Sequence, residues 1–263
     1  MLQDLETDID LSPDISQLVI EDDAPVDNLI SEKQMRLLTE TLYSNPGALP
    51  AEKFLVSANV GVFYALKQPP LVPDVFLSLD VEVPQDWSQK QNRTYFVWEF
   101  GKPPDVVIEI VSNREGNELG SKLTRYADIG VAYYAVFDPL QQLGNILLRT
   151  FERLGNRYQE MADAWFSPIG IGLTLWDGEF EGKQDRWLRW CTQDGVVIPT
   201  GFEQAEQERK RAEQERKRAE QERERAEQER ERAEQERERA EQAEARAVRL
   251  AEQLRSLGID PDA

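Results

Sequence analysis

A seven-residue repeat near the C-terminus constrains this chain more than any other feature. Alanine recurs at 205, 212, 219, 226, 233, 240 and 247 in units of Ala-Glu-Gln-Glu-Arg-Lys-Arg and close variants, with no proline or glycine between Phe202 and Leu257. Residues 203–249 carry no aromatic side chain, so a core has to be built by the rest of the chain. Glu and Arg at spacings of three and four support a helix through many pairs, each contributing a few tenths of a kcal/mol. Such a helix would be roughly 80 Å long at 1.5 Å per residue. It is a poor coiled coil, because Glu208, Glu215, Glu222, Glu229 and Glu236 take the second seam position. Only at the end do Ala240, Ala243, Ala247, Leu250, Leu254 and Leu257 alternate as an apolar seam. That short seam could associate with a second copy or another protein, or fold back on the globular part. Three segments are therefore expected: an acidic flexible arm over 1–29, a folded domain over 30–200 and the charged helix over 201–263.

The chain has 263 residues, one cysteine (Cys191) and no histidine. A lone cysteine rules out an intrachain disulfide and a cysteine metal site, and suggests a reducing compartment. Without histidine there is no His-based triad, no imidazole acid–base catalysis and no His-type zinc site. The remaining chemistry must use Asp, Glu, Lys, Tyr, Ser or a hard metal held by carboxylates. No apolar run approaches a membrane span, and the N-terminus is acidic, so no membrane partner and a cytoplasmic location are expected. Net charge is −19, while residues 203–257 hold 15 basic and 17 acidic residues, so the acidity lies mainly outside the repeat. That sign opposes tight non-specific binding to nucleic acid.

Within the folded part, Ser31 is placed to N-cap a helix over 32–44 with Met35, Leu38 and Leu42 on one face. Asn45-Pro46-Gly47 stops it. Strand-like runs follow at Phe54–Leu66, Val75–Leu79 and Thr94–Phe100. Asp105–Val111 is apolar on both faces apart from its carboxylates, the pattern of a buried central strand. Asn117–Asp128 is expected to be a helix ended by Gly130, and Val131–Phe137 the next strand. Strand, helix, strand makes a crossover unit, so those two strands should run parallel. Later strands are expected at 145–152, 157–161 and around Trp187–Trp190. The fold class is α/β, a mixed sheet flanked by helices.

Glu109 lies in the middle of Val-Val-Ile-Glu-Ile-Val. A buried carboxylate needs a cation, a metal or a donor beside it; otherwise this Glu sits at an exposed edge or is satisfied by a core cation. Asp74 follows Pro73 at the start of a second apolar run, where turn chemistry is the plain alternative. Lys122 falls on or beside an inward stripe marked by Leu119, Tyr126 and Ile129, and a lone Lys there often snorkels to solvent. Together, two carboxylates on neighbouring strands and a nearby Lys are what metal-assisted phosphodiester hydrolysis uses. Glu40 is a further carboxylate that could join them, with an exposed helix Glu the plainer reading.

These residues carry a resemblance. Pro73-Asp74, then Pro104 through Ser112, then Lys122-x3-Tyr126, then Gly130 through Pro139 are similar to the Uma family of endonuclease-like proteins. That family is part of the PD-(D/E)xK, or restriction-endonuclease-like, superfamily. The resemblance spans about residues 31–165. It implies a four-stranded mixed sheet core, Asp74 and Glu109 as metal ligands, and the carbonyl of Ile110 as a third. It implies Mg²⁺, with Mn²⁺ as a substitute, and DNA as substrate. The usual superfamily Lys, two residues after the Glu, is here Val111, and Lys122 matches a helix-borne replacement. The expected function is a Mg²⁺-dependent endonuclease with Asp74, Glu109 and Lys122 as its catalytic residues. The alternative is a non-catalytic scaffold that retains the fold, uses the same residues as an ion pair and recruits partners through its helix. A carbohydrate or peptide hydrolase with paired carboxylates explains neither the Lys nor the crossover.

Overall fold

A computed structural model describes residues 28–113 and 117–256. Residues 1–27 of the expected acidic arm, Leu257 and the side chain of Leu254 lie outside the described residues. Contacts divide the chain into two units, one up to Phe202 and one from Glu203.

The first unit begins with α1 (Leu29–Ser44), whose N-cap is Asn28 and not Ser31. The Asn28 carboxamide accepts from the amides of Ile30 and Ser31 at 3.0 and 3.1 Å, and Ser31 itself is buried. Strands β1 (Phe54–Ala58), β2 (Val62–Phe63), β3 (Val75–Leu79), β4 (Tyr95–Phe96) and β5 (Val106–Ile110) follow. The expected run 54–66 is thus two strands, broken where Asn59 adopts a left-handed φ of 53°. The expected run 94–100 is extended only at Tyr95 and Phe96, then turns through α2 (Val97–Phe100). That turn brings Phe100 back onto Tyr95, with the rings stacked at 4.3 Å.

After β5 come α3 (Leu123–Ile129), β6 (Tyr133–Phe137), β7 (Leu148–Leu154) and β8 (Arg157–Glu160). The main sheet has six strands in the order β1-β3-β5-β6-β7-β8. β5 and β6 pair in parallel, as the crossover requires, and every other neighbouring pair is antiparallel. The last strands are β9 (Trp165–Phe166), β10 (Ile171–Phe180) and β11 (Lys183–Cys191), which form a second, antiparallel sheet. The β10–β11 hairpin turns at Glu181-Gly182, whose φ angles of 46° and 76° are both left-handed, as a tight two-residue hairpin demands. From the sequence a strand is expected here only around Trp187–Trp190; β9 and β10 are not among the expected strands, although Ile171, Leu173 and Leu175 alternate along β10.

Alternation splits the main sheet into two cores. One face carries Val75, Leu77, Ile108, Ile110, Ala135 and Phe137 against Met35, Leu38 and Leu42 of α1 and Leu188 and Trp190 of β11. Gln34 fixes α1 there by exchanging two hydrogen bonds with the Leu188 backbone, at 2.8 and 2.9 Å. The other face carries Phe76, Val107, Val111, Tyr134 and Val136 against Tyr95 and against Tyr126 of α3.

The second unit is nearly all of α4 (Gly201–Ser256), 56 residues long and exposed along almost its whole length. Pairs at spacing four, such as Lys210–Glu206 and Lys217–Glu213 at 2.8 Å, run along it. Among the described residues, no helix is long and apolar enough to cross a membrane.

Candidate active site on the charged face of the sheet

β3 pairs antiparallel with β5 through Val75↔Ile108 and Phe76↔Val107. One further step of that register opposes Asp74 to Glu109. Side chains alternate along a strand, so Asp74 shares the face of Phe76, and Glu109 the face of Val107 and Val111. Both acids therefore belong to the same side of the sheet. Consistent with this, the charge of Asp74 is felt at Lys122, Tyr126 and Tyr134. The Ile110 amide donates to Oδ2 of Asp74 at 2.5 Å and orients that carboxylate. This contact uses the Ile110 amide, whereas the ligand expected from the resemblance is the Ile110 carbonyl.

Glu109 is 1% exposed, and both of its oxygens are engaged. Lys122 Nζ donates to Oε2 at 2.8 Å, and the Tyr126 hydroxyl donates to Oε1 at 2.7 Å. Burial pushes the Glu109 carboxyl above the ordinary glutamate value, and the charge and hydrogen bonds of Lys122 and Tyr126 offset this only in part. Burial works against the Lys122 ammonium too, but Glu109, then Glu118 and Asp74, outweigh it and hold it above the ordinary lysine value. The two directions are compatible: the ammonium keeps its proton, and the carboxyl releases its own late. Tyr126 is pushed well up by burial and by the adjacent Glu109 charge, so it remains a donor.

The segment carrying Lys122 departs from expectation. Residues Glu118–Lys122 form a wide, π-type turn broken at Gly120 (φ −117°, ψ −112°), and regular helix starts only at Leu123. The break changes the phase of the face. Leu119, expected inward, is exposed, and Glu118 is buried in its place. The turn is held by the Tyr134 hydroxyl, which donates to the Glu118 carbonyl at 2.9 Å. Lys122 also lies 3.4 Å from Glu118 Oε1, while Oε2 of Glu118 is buried and, among the described residues, has no hydrogen-bond partner. Glu118 is the site residue that sequence reasoning missed. Its spacing of four from Lys122 was the available signal, masked by the assumption of a regular helix. The donor role of Tyr126 was hidden in the same way, behind its role as a core aromatic.

Glu40 is not part of this site. Its Oε1 accepts from the Gly201 amide at 2.8 Å and from the Ser44 hydroxyl at 2.7 Å, at the beginning of α4. Asp138 ends β6 by accepting from the amides of Gln142 and Leu143 at 2.9 and 2.6 Å. Val111, where the superfamily usually has its Lys, is buried in the apolar cluster of the same face.

Among the described residues, no three Asp, Glu, Cys or His side chains converge as a cation cluster. The donor set still suits a hard ion. Mg²⁺ takes one or two carboxylates and fills its octahedron with water and phosphate oxygens. The position beside Glu109 already attracts positive charge, since an ammonium occupies it, and Glu118 Oε2, without a hydrogen-bond partner among the described residues, adds spare acceptor capacity nearby.

A mixed six-stranded sheet with flanking helices, carrying one acid on a central strand, a second just before the neighbouring strand and a Lys from the crossover, defines a restriction-endonuclease-like protein. Residues 19–163, more than half of the chain, match the family Uma2, described as "Putative restriction endonuclease". The chain belongs to that family. A search of curated proteins found no match.

Proposed function

We propose that the chain is an endonuclease that hydrolyses DNA phosphodiester bonds with Mg²⁺, or Mn²⁺ in its place, held by Asp74, Glu109 and the carbonyl of Ile110. One observation carries the reading: two carboxylates share a face of adjoining strands, and the deeper one is in direct contact with a lysine. The bound ion would supply an acidified water and neutralise charge building on the phosphate. Asp74 is aimed by the Ile110 amide. Tyr126 holds Oε1 of Glu109 and leaves Oε2 as the edge that a cation would contest with Lys122. Lys122 stays protonated and donates to the attacking water or to the phosphate oxygens, where a fixed charge in a water-poor setting is most effective. The apolar walls formed by Val107, Val111 and Tyr134 limit water access and so strengthen these contacts.

The test is cleavage of plasmid and linear DNA with Mg²⁺ or Mn²⁺ by the wild type, Glu109→Gln and Lys122→Ala. Equal activity in all three eliminates this site. A second reading has its own support. Glu109 is sealed from solvent with both oxygens satisfied, and the chain carries a net charge of −19. In that reading the trio is a buried ion pair that specifies the fold, and α4 recruits a partner. A wild-type protein that binds no Mn²⁺ would favour it.

A further inference from the structure

We propose that Glu118 is a positioning residue that receives the Lys122 ammonium when a divalent cation takes Glu109. This inference rests on the endonuclease reading and explains how a site sealed by an ion pair can open.

Lys122 occupies the oxygen of Glu109 that a cation would need. If Glu109 were to hold a divalent cation, the Lys122 ammonium, of like sign, would need a new anionic partner. Snorkelling to water is one destination, but the side chain of Lys122 is only 31% exposed. Glu118 is nearer. Its side chain is 6% exposed, and among the described residues its side chain meets Lys122 at 3.4 Å, too long to be a strong contact. Among the described residues, Oε2 of Glu118 has no hydrogen-bond partner.

A buried carboxylate so poorly satisfied is expensive and calls for a physical reason, and a second state in which it gains a close cation supplies one. An ammonium has three donors, so a modest rotation of the Lys122 chain converts the long Glu118 contact into a close one. The landing place does not have to move, because the Tyr134 hydroxyl ties down the Glu118 carbonyl. After the exchange Lys122 remains beside the reacting phosphate, held by Glu118, while Asp74 and Glu109 face the ion. The exchange thus separates two tasks that the Lys122–Glu109 pair merges: neutralising Glu109 and presenting a cation to substrate.

The experiment is calorimetric titration of the full-length chain with Mn²⁺, without DNA. It compares the wild type, Glu118→Gln, Lys122→Met and the double variant, with circular dichroism to confirm folding. Glu118→Gln should weaken Mn²⁺ binding about tenfold when Lys122 is present and change it little when residue 122 is Met, a coupling typical of contacting charges. An equal loss in both backgrounds means that Glu118 acts on the ion directly and overturns the proposal. No loss in either background overturns it as well. A wild type that binds no Mn²⁺ removes the endonuclease reading and this inference together, which distinguishes the two failures. Should Lys122→Met fail to fold, a crystal structure of the wild type with Mn²⁺ decides the matter. Lys122 Nζ hydrogen-bonded to Glu118 supports the exchange, and Nζ still on Glu109 refutes it.

Discussion

The two faces of the main sheet are built from alternate residues of the same strands, yet they differ in kind. β5 sends Val106, Ile108 and Ile110 to one face and Val107, Glu109 and Val111 to the other. The first face is covered by α1 and the β10–β11 hairpin, and polar groups near it, such as Gln34, pair with backbone. The second is covered by the broken segment around Glu118–Lys122 and by α3, which supply Lys122 and Tyr126 to a charge. A buried carboxylate is tolerated only where the covering layer brings donors to it. Residue parity on one strand therefore separates a wholly apolar face from one that holds a buried charge among its apolar residues.

The strongest way to break this comparison is to neutralise the charged face. Glu109→Gln should reduce metal-dependent DNA cleavage at least about a thousandfold, the scale for losing a group that stabilises transition-state charge. Its far-ultraviolet circular dichroism should match that of the wild type. If cleavage survives, the second face is structural like the first.

The opposite face should fail differently. Leu38→Ala, at a fully buried position under β11, should lower the unfolding free energy by about 3–5 kcal/mol in urea melts. The folded fraction should still bind Mn²⁺ with wild-type affinity. Tyr126→Phe tests the charged face more gently. It removes one donor from Glu109 and should cost about 2 kcal/mol of stability, with Lys122 still in place.

A pH series sharpens the contrast further. Burial raises the folded pKa of Glu109 above its unfolded value, so the native state keeps this proton after the unfolded chain has released it. The resulting stability is complete below the ordinary glutamate range and is lost as pH rises through the raised folded value. Urea midpoints of the wild type should fall over that window relative to those of Glu109→Gln, which has no such proton. Parallel profiles for the two proteins would contradict the assignment. The smallest effect belongs to α4. Glu213→Gln, which breaks an exposed pair with Lys217, should leave the melting temperature and the cleavage rate unchanged.

Much of this molecule was legible before the tertiary structure. The parallel β5–β6 pair followed from an apolar strand, a helical segment and a second apolar strand in succession. The central position of Glu109 followed from its apolar neighbours. What misled was local regularity. Leu119 looked inward because a helix was assumed through Gly120, and the backbone break there turned Glu118 inward instead. Ser31 looked like a cap because it precedes the apolar stripe, but Asn28 offers an equally good acceptor one turn earlier. Glu40 was a loose carboxylate until the beginning of α4 was placed beside it.

By itself the sequence determined what depends on neighbours along the chain: the charged helix, whose pairs lie four residues apart, and the strands, whose burial shows in their apolar pattern. Only the tertiary structure decided which side chains meet. Pairing of β3 with β5 brings Asp74 to the Ile110 amide, and the irregular turn delivers Lys122 to Glu109 with Glu118 beside it. Those contacts join residues far apart along the chain, and their geometry depends on strand pairing and one backbone break that no local pattern encodes.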